Sequence, residues 1–264
     1  MVVATKLEWG FVCALRMEAV TLVSRPPRQR RVAVGRIGSL VLCGMGAARA
    51  RQAALLLAEA GVDVLVSWGV AGALDPALEP GQLLIPAKVI CADGSEYEVD
   101  ADLRALLLSS RPGVPCASTR PLFCAASAIL EPAGKKRLFD RSGAAAVDLE
   151  SAAVAAVAAE RGLPFVALRS VLDTAETTVP AFVAAAVDPF GRVQPLHFCA
   201  ALLRHPEDCT ALLPLARQSR LACHSLASLA RKLPALFATY HENSGRPAVA
   251  GRSDRVEVVA ADRR

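Results

Sequence analysis

The amino-acid sequence predicts an α/β fold: a three-layer α/β/α sandwich with a mixed central sheet and a C-terminal helical extension. Over about the first 180 residues, short apolar runs typical of buried strands alternate with Ala- and Leu-rich segments of helical character. The connections between them are short and contain glycine or proline. Alternating strands and helices of this kind form layered α/β domains. Beyond residue 180 the pattern changes to helices alone.

The strands are predicted from apolar runs bounded by turn residues. The run at 62–68 is almost continuously apolar, which predicts a strand covered on both faces of the sheet. Residues 31–34 and 40–43 predict a hairpin joined through Gly35-Arg-Ile-Gly38. The remaining strands are predicted at 9–15, 82–91, 121–125, 146–149 and 165–172.

The helices are predicted from their end signals and composition. The helix at 47–60 ends at Gly61 and the helix at 151–161 ends at Gly162, a residue common at helix C-termini. Further helices are predicted at 102–109, 196–204, 207–217 and 219–240, with turns at His205-Pro206 and near Pro214. The chain is thus divided into an α/β domain at 1–180, a helical extension packed on it at 181–241, and a disordered tail at 242–264.

The composition is that of a globular protein and argues against several classes of function. Hydrophobic residues make up 53% and charged residues 21% of the chain, with a net charge of +5. No basic stretch is interleaved with aromatic residues, so we expect no nucleic-acid partner. The eight cysteines form no C-x-x-C pair and the four histidines no ligand motif, so we expect no metal and no cofactor. No apolar run reaches the roughly 18 residues that span a bilayer. We expect a cytoplasmic protein, with association to the inner membrane surface as an open alternative.

Two glycine-containing segments follow predicted strands and are candidate ligand loops. Gly44-Met-Gly46 precedes a helix, where backbone N–H groups can approach a ligand. A dinucleotide-binding fingerprint would need a third glycine where Arg49 stands, so the sequence does not predict a Rossmann cofactor site. The segment Gly69-Val-Ala-Gly72 follows the strand at 62–68. Its small residues would leave room for a ligand at the sheet edge, although a simple turn explains it equally well.

Three carboxylates lie at or just after three predicted strands. Glu150 stands at a strand-to-helix junction, where its two oxygens can accept hydrogen bonds from both hydroxyls of a ribose. Its ordinary explanation is an acid favoured by the dipole of the following helix. Asp173 ends the strand at 165–172 and has an ordinary explanation as a helix N-cap, and Glu18 has one as a surface charge. Taken together with the glycine segments, the three acids favour a ligand site at one edge of the sheet.

Six segments carry a resemblance to a known family. They are Gly10-Phe-Val-Cys-Ala-Leu-Arg-Met-Glu18, Cys43-Gly-Met-Gly46, Trp68-Gly-Val-Ala-Gly-Ala73, Gly81-Gln-Leu-Leu-Ile-Pro86, Val147-Asp-Leu-Glu-Ser-Ala-Ala153 and Leu168-Arg-Ser-Val-Leu-Asp173. In this order and spacing they resemble the nucleoside phosphorylase/nucleosidase family, whose nucleosidase branch includes methylthioadenosine/S-adenosylhomocysteine nucleosidase. The resemblance spans most of residues 9–175. It implies a phosphorylase/hydrolase-like fold and an enzyme that cleaves the N-ribosyl bond of a purine nucleoside.

The resemblance also implies a role for particular residues. Asp173 corresponds to the catalytic acid that acts at purine N7, and Glu18 to the catalytic glutamate that activates water in the nucleosidases. Glu150 corresponds to the ribose-binding glutamate, with Leu149 beneath the sugar where the family usually has methionine. The other implied substrate-binding residues are Val70, Ala71 and Gly72, together with Ile129 and Leu130 in the base pocket.

Departures from the family pattern bear on the nucleophile and on catalysis. Related phosphorylases bind phosphate with arginines, one of them near the end of the strand that corresponds to 62–68, which here has no arginine. Glu18 would also repel a phosphate dianion, so water is the expected nucleophile. A phosphate-dependent phosphorylase is the alternative, with Arg16, Arg49 or an arginine of a second subunit as the phosphate ligand.

Two further substitutions motivate a hypothesis of another class. Leu172 replaces a serine that is common beside the catalytic aspartate, and Val70 replaces a serine often found in the small-residue segment. A non-catalytic protein that binds a nucleoside or a lipid head group would tolerate both losses.

A second set of segments resembles the subgroup associated with hopanoid biosynthesis, which acts on adenosylhopane. These segments are Val70-Ala-Gly-Ala-Leu-Asp-Pro-Ala-Leu-Glu-Pro-Gly81, Val187-Asp-Pro-Phe-Gly-Arg-Val193, Leu203-Arg-His-Pro206 and Leu215-Ala-Arg-Gln-Ser219. The resemblance implies release of adenine from a nucleoside with a lipid 5′ substituent. We also expect a homo-oligomer, in which the helices beyond residue 180 cover the pocket mouth or a subunit interface. Phe182, Leu196 and Phe198 would then face an apolar substrate, and packing of these helices on the sheet is the alternative.

Overall fold

A computed structural model describes residues 7–109, 120–180, 188–192 and 209–244 of the chain. Its strands are β1 (Trp9–Cys13), β2 (Arg31–Val34), β3 (Gly38–Leu42), β4 (Val64–Ala73), β5 (Leu83–Leu84), β6 (Lys88–Cys91), β7 (Glu96–Glu98), β8 (Leu122–Cys124), β9 (Ala146–Asp148) and β10 (Phe165–Asp173). Its helices are α1 (Arg16–Ala19), α2 (Ala47–Glu59), α3 (Ala101–Ser109), α4 (Pro132–Ser142), α5 (Ser151–Arg161), α6 (Cys209–Ala230) and α7 (Leu233–Ser244).

All the described strands belong to one mixed sheet in which β4 is central. The strand order is β2-β3-β1-β4-β9-β8-β6-β7, and β10 pairs with β4 and β5. The pairs β1–β3, β1–β4, β4–β10, β6–β8 and β8–β9 are parallel, whereas β2–β3, β4–β9, β5–β10 and β6–β7 are antiparallel. The mixed sheet with its flanking helices and C-terminal helical extension confirms the predicted fold class.

On one edge of β4, the neighbouring strands β1 and β9 leave a gap between them. β10 pairs with β4 from Leu65 to Gly72 and therefore occupies one edge of the strand. On the other edge, β1 pairs with β4 as far as Ser67, and β9 pairs only with Gly72 and Ala73. Backbone groups between these two pairings lack a strand partner on that edge. Their N–H groups need another hydrogen-bond acceptor if they are buried.

Three sequence predictions of secondary structure are wrong. Gly69-Val-Ala-Gly72 is part of β4 and not a turn, because β10 continues alongside and supplies hydrogen-bond partners as far as Gly72. The predicted strand at 82–91 is split around Pro86, which has no N–H to donate to a neighbouring strand, so β5 pairs with β10 and β6 with β8. The predicted turn near Pro214 is wrong, because Pro214 lies inside α6, near its start, and removes one helical hydrogen bond without ending the helix. The break predicted between the helices at 207–217 and 219–240 falls instead between Ala230 and Leu233.

Two elements of the structure, α4 and β7, have weak hydrophobic patterns and are not predicted from the sequence. α4 contains five charged residues among eleven, and β7 has only Tyr97 between two glutamates. Neither shows the apolar periodicity from which the other elements are predicted. The predicted helix at 196–204 lies outside the described residues, as do Phe182, Leu196 and Phe198 and most of the predicted tail. The division into domains remains a prediction.

The C-terminal helices pack on the α/β core. α6 lies against β10 and α1, and α7 lies against α3. Phe237 stacks on Trp9 of β1 with ring planes 6° apart, and Tyr240 meets the same indole edge-on. The described part of the extension therefore contributes to the core, which is the alternative considered from the sequence. Among the described residues, no helix is long and apolar enough to cross a membrane.

Candidate active site

A cavity of about 220 Å³ opens at the carboxyl ends of β4 and β10, where ligands bind in α/β sheets. All nine residues that the sequence analysis singled out for the site line this cavity: Glu18, Val70, Ala71, Gly72, Ile129, Leu130, Leu149, Glu150 and Asp173. Most of the other lining side chains are aliphatic: Ala14, Leu15, Met45, Ala128, Val147, Leu172 and Val179, with Asp148 the exception. The structure thus brings the predicted site residues together around a single cavity.

Buried charge is concentrated at this cavity. In the part of the chain that the structure describes, the buried charged residues are Glu18, Lys135, Asp148, Glu150, Arg169 and Asp173. The four acids line the cavity. The two basic residues are not among its lining residues, and they form ion pairs with Asp173 and Asp148. Burying a charge costs free energy unless it is paired. Such a concentration of ionisable groups in one cavity is typical of a functional site.

Glu18 fills the gap on the edge of β4. Its Oε1 accepts a hydrogen bond from the Val70 N–H at 2.9 Å, and its Oε2 accepts from the N–H groups of Ala14 and Leu15 at 3.0 and 2.7 Å. Burial raises the pKa of this carboxyl group, and the nearby Arg169 guanidinium and the three N–H groups oppose the rise. The surface-charge explanation of Glu18 is wrong, because the residue is only 4% exposed.

Gly69 is required by the close approach of Glu18 to β4. A Cβ atom at this position would lie 2.3 Å from Glu18 Oε1 and 3.1 Å from Arg169 Nη1. We expect Gly69→Ala to push Glu18 away from Val70 and to lower the free energy of unfolding by about 1–3 kcal/mol. Chemical denaturation measures the loss. Gly72→Ala is the matched control on the same strand, because its Cβ would make ordinary contacts of 3.4–3.6 Å. Equal stability losses in both variants would contradict this account.

Glu150 directs its carboxylate across the cavity and not toward its own helix. It is the N-cap residue of α5, yet it makes no side-chain capping hydrogen bond. Its Oε1 instead accepts a hydrogen bond of 2.7 Å from the N–H of Gly46, in the glycine segment after β3. A positive φ of 104° at Gly46 helps to set this geometry, which a side chain would disfavour. Capping of α5 therefore does not account for Glu150.

The ionisation of Glu150 is shifted toward neutral pH. Burial raises its pKa to about 7, and the neighbouring Asp148 carboxylate adds to the rise. The folded protein therefore favours the protonated form. The contribution of protonated Glu150 to the free energy of unfolding is fully present below the pKa of the unfolded state, about 4.5. This contribution is lost as the pH rises through about 7.

Glu150→Gln is accordingly expected to stabilise the protein at pH 8. Glutamine keeps the acceptor for Gly46 and removes the buried charge, so the gain approaches about 3 kcal/mol at pH 8 and vanishes below pH 4.5. Denaturant unfolding from pH 4 to pH 8 measures the difference. The control is Glu79→Gln, at an exposed position, which should show no such trend. If Glu150→Gln is less stable than the unaltered protein at pH 8, the buried carboxylate of Glu150 does not destabilise the fold at that pH, and this account is contradicted.

Asp173 is the last residue of β10, and its ordinary explanation as a helix N-cap is wrong because no helix follows in residues 174–180. Its Oδ2 accepts a short hydrogen bond from the ammonium group of Lys135, which comes from α4. Burial raises the pKa of Asp173, and Lys135 opposes the rise.

Lys135 and Arg169 are two buried basic residues that the sequence analysis did not identify. Arg169 Nε and Nη2 bind one oxygen of Asp148 at 2.8 and 2.6 Å, and Nη2 also donates to the hydroxyls of Ser67 and Ser151 at 2.6 and 2.8 Å. An arginine inside the apolar run of β10 was a usable signal, since a buried guanidinium needs an acidic partner. Lys135 gave no comparable signal, because it lies in a helix rich in exposed charge.

The largely aliphatic lining of the cavity suits an organic ligand. The described residues contain no group of three or more His, Cys, Asp or Glu side chains placed to hold a metal. Ile129 and Leu130, which the resemblance assigns to the base pocket, are aliphatic, and the described lining of the cavity has no aromatic side chain.

Comparison with known families identifies the chain's family. Residues 1–193 match the model of the phosphorylase superfamily. The chain belongs to the phosphorylase superfamily. This finding confirms the predicted family and, at this level, an enzyme of the nucleosidase or phosphorylase class. No curated protein sequence matches the chain significantly.

Solved structures with the same fold include nucleosidases. A 5′-methylthioadenosine/S-adenosylhomocysteine nucleosidase from Neisseria meningitidis in complex with methylthio-immucillin-A has a TM-score of 0.62 at 17% identity, covering 88% of this chain and 98% of its own. A variant of the Helicobacter pylori enzyme with 5′-methylthioadenosine in the active site has a TM-score of 0.60 at 17% identity, covering 86% and 100%. Futalosine hydrolase from Helicobacter pylori has a TM-score of 0.59 at 17% identity, covering 86% and 98%. At such low identities the likeness shows the fold alone.

Proposed function

We propose that this phosphorylase-superfamily member cleaves the N-ribosyl bond of a purine nucleoside with water and releases adenine. The observation that carries the proposal is the meeting of Glu18, Glu150 and Asp173 in one largely aliphatic cavity. Breaking the bond leaves positive charge on the sugar and negative charge on the base. Carboxylates stabilise the first, and a proton donor neutralises the second, as in glycoside hydrolysis.

Each carboxyl group has a role that its surroundings support. Asp173 donates a proton to purine N7, and the burial that raises its pKa keeps a proton available. Glu150, ionised above about pH 7, accepts hydrogen bonds from the ribose diol. Glu18 takes a proton from the attacking water, since its carboxylate is held by three N–H groups.

The neutral residues of the cavity would shape it around the nucleoside. Leu149 would lie beneath the sugar, next to Glu150 in the chain. Val70, Ala71 and Gly72 line the cavity near the end of β4, where their small side chains would leave space for the substrate. Ile129 and Leu130 would line the base pocket.

The charges around the cavity favour water over phosphate. Four carboxyl groups line the cavity, and none of the described lining residues is basic. Arg169 is already bound to Asp148 and two serines, and Arg49 is exposed and donates to the carbonyl of Met45. A phosphate dianion would meet net repulsion in such a site, whereas an oxocarbenium-like sugar would be stabilised.

The proposal extends to the 5′ substituent of the nucleoside, which we expect to be apolar. The motifs resembling the adenosylhopane-cleaving subgroup and the aliphatic side chains of Leu15, Met45 and Val179 support an apolar 5′ group. We accordingly propose adenosylhopane as the substrate, cleaved by a cytoplasmic homo-oligomer working at the inner membrane surface. Nucleosides with alkyl 5′ groups of increasing length should show rising kcat/KM, and a preference for an unmodified 5′ hydroxyl would contradict this part.

The test of the activity is release of free base from adenosine-type nucleosides, with and without inorganic phosphate, followed by chromatography of both products. The proposal predicts adenine and the free sugar in both conditions. Product that appears only with phosphate would establish the phosphorylase alternative. Saturable binding without any product after long incubation would establish the non-catalytic binding protein instead.

A further inference from the structure

Lys135 is fully buried, whereas the next residue on α4, Lys136, is exposed. Its side chain is 0% exposed, whereas that of Lys136 is 75% exposed and pairs with Asp140 on the helix surface. A lysine is almost never buried fully unless it is paired. The burial of Lys135 therefore calls for a specific explanation, and Lys136 offers a natural comparison.

The contacts of Lys135 fit a protonated ammonium group. Its three N–H groups meet three acceptors: Asp173 Oδ2, the carbonyl of Thr174 at 2.7 Å and the carbonyl of Thr177 at 2.8 Å. Each donor of the ammonium is thus used, as burial requires. The two carbonyls belong to the segment that leaves β10, so Lys135 also ties this segment to α4.

The two oxygens of the Asp173 carboxyl group are not equivalent. Lys135 occupies Oδ2, and among the described residues no hydrogen bond is made to Oδ1. Asp173 itself lines the cavity, and Gly72 beside it carries no side chain. One oxygen is held by the protein and the other is left for a ligand.

We propose that Lys135 is a positioning residue that holds Oδ2 of Asp173, leaves Oδ1 to face the departing base, and stabilises the carboxylate once its proton is gone. This inference rests on the proposed function. In the reaction, the Asp173 proton moves from Oδ1 to N7 as the electron pair of the N-ribosyl bond goes to the base. The water oxygen bonds to the anomeric carbon, and its proton goes to Glu18. Lys135 keeps all its protons and acts through Asp173 alone.

Other charged groups adjoin the cavity from different elements. They are Glu18 on α1, Asp148 on β9, Glu150 before α5 and Arg169 on β10. Burial raises the pKa of Asp173, and the charge that lowers it is that of Lys135. Loss of the ammonium should therefore make Asp173 a weaker acid, because nothing then offsets its burial.

The test compares Lys135→Met with Lys136→Met. We expect Lys135→Met to move the alkaline limb of the kcat profile upward by about one to three pH units, since an adjacent ammonium shifts a carboxyl pKa by that amount. At the optimum, kcat should fall at least about tenfold while KM changes less, because the effect is on proton donation. Lys136→Met should match the unaltered protein in both. If the alkaline limb of the kcat profile stays in place in Lys135→Met, the proposal is overturned. Loss of a lysine with a merely structural role would lower activity without moving this limb.

A spectroscopic titration separates this proposal from the proposed function. Infrared difference spectra report the protonated Asp173 carboxyl directly, assigned by its loss in Asp173→Asn, and need no turnover. The titration should move upward in Lys135→Met even if the protein cleaves no nucleoside. An unmoved titration would overturn the role of Lys135, whereas absence of base release would overturn only the proposed function.

A second variant covers the case in which Lys135→Met does not fold. Lys135→Gln removes the charge but keeps N–H donors for the two carbonyls, and the titration of Asp173 should show the same upward shift. An unmoved titration in a folded Lys135→Gln protein would contradict the proposal.

Discussion

Asp173→Asn is expected to lower kcat by about 10²–10⁴-fold, the range that a general acid contributes. The amide has the size of the carboxyl group, and its oxygen can still accept from Lys135, but it cannot give a proton to N7. KM should change little, because shape and the hydrogen bonds to the sugar are kept. Steady-state kinetics on a nucleoside that the protein cleaves measure both constants.

A surface aspartate provides the control for this substitution. Asp140 lies on α4, pairs with the exposed Lys136 and is far more accessible than Asp173. Asp140→Asn should leave kcat unchanged. If Asp173→Asn retained full turnover while folding normally, Asp173 would have no part in the chemistry.

Glu18→Gln is expected to produce the second large loss of kcat, again by about 10²–10⁴-fold, because an amide cannot take a proton from water. The amide oxygen can replace only one of the two carboxylate oxygens. The N–H groups of Ala14 and Leu15, or that of Val70, would face an amino group, which should lower the free energy of unfolding by about 1–3 kcal/mol.

Activity and stability must be separated in this variant. Turnover measured well below the unfolding temperature, with folded protein quantified by circular dichroism, gives the chemical effect alone. Glu59→Gln, at an exposed position, should leave both properties nearly unchanged. A fully folded Glu18→Gln protein with undiminished kcat would remove Glu18 as the base and would favour another route for activating the nucleophile.

The sequence was informative wherever a side chain stood at a strand end. Glu18 follows β1 and Asp173 ends β10, and both strands are parallel to β4, so their carboxyl ends meet at one edge of the sheet. Glu150 follows β9, which is antiparallel to β4, and reaches the same cavity. Their spacing with the glycine segments predicted that they meet, and the structure shows them around one cavity. The surface explanation of Glu18 and the N-cap explanation of Asp173 fail only on three-dimensional facts, namely the burial of Glu18 and the lack of a helix in residues 174–180.

The partners of these acids could not be predicted in the same way. Lys135 reaches Asp173 across 38 positions in sequence, from a helix whose pattern predicts solvent exposure. The small residues around Gly69 are as typical of a turn as of a ligand loop. Gly69 instead lies in a strand, and it must be small because the carboxylate of Glu18 occupies the space that a Cβ atom would need. Such pairings depend on how distant elements pack, and local patterns contain little information about that.

The most direct test of the central claim is a crystal structure of Asp173→Asn with an intact adenosine-type nucleoside. We expect the base between Ile129, Leu130 and the end of β4, with N7 next to residue 173, the ribose diol on Glu150, and a water molecule between Glu18 and the anomeric carbon. A nucleoside bound outside this cavity, or bound within it with its sugar away from Glu150, would contradict the account.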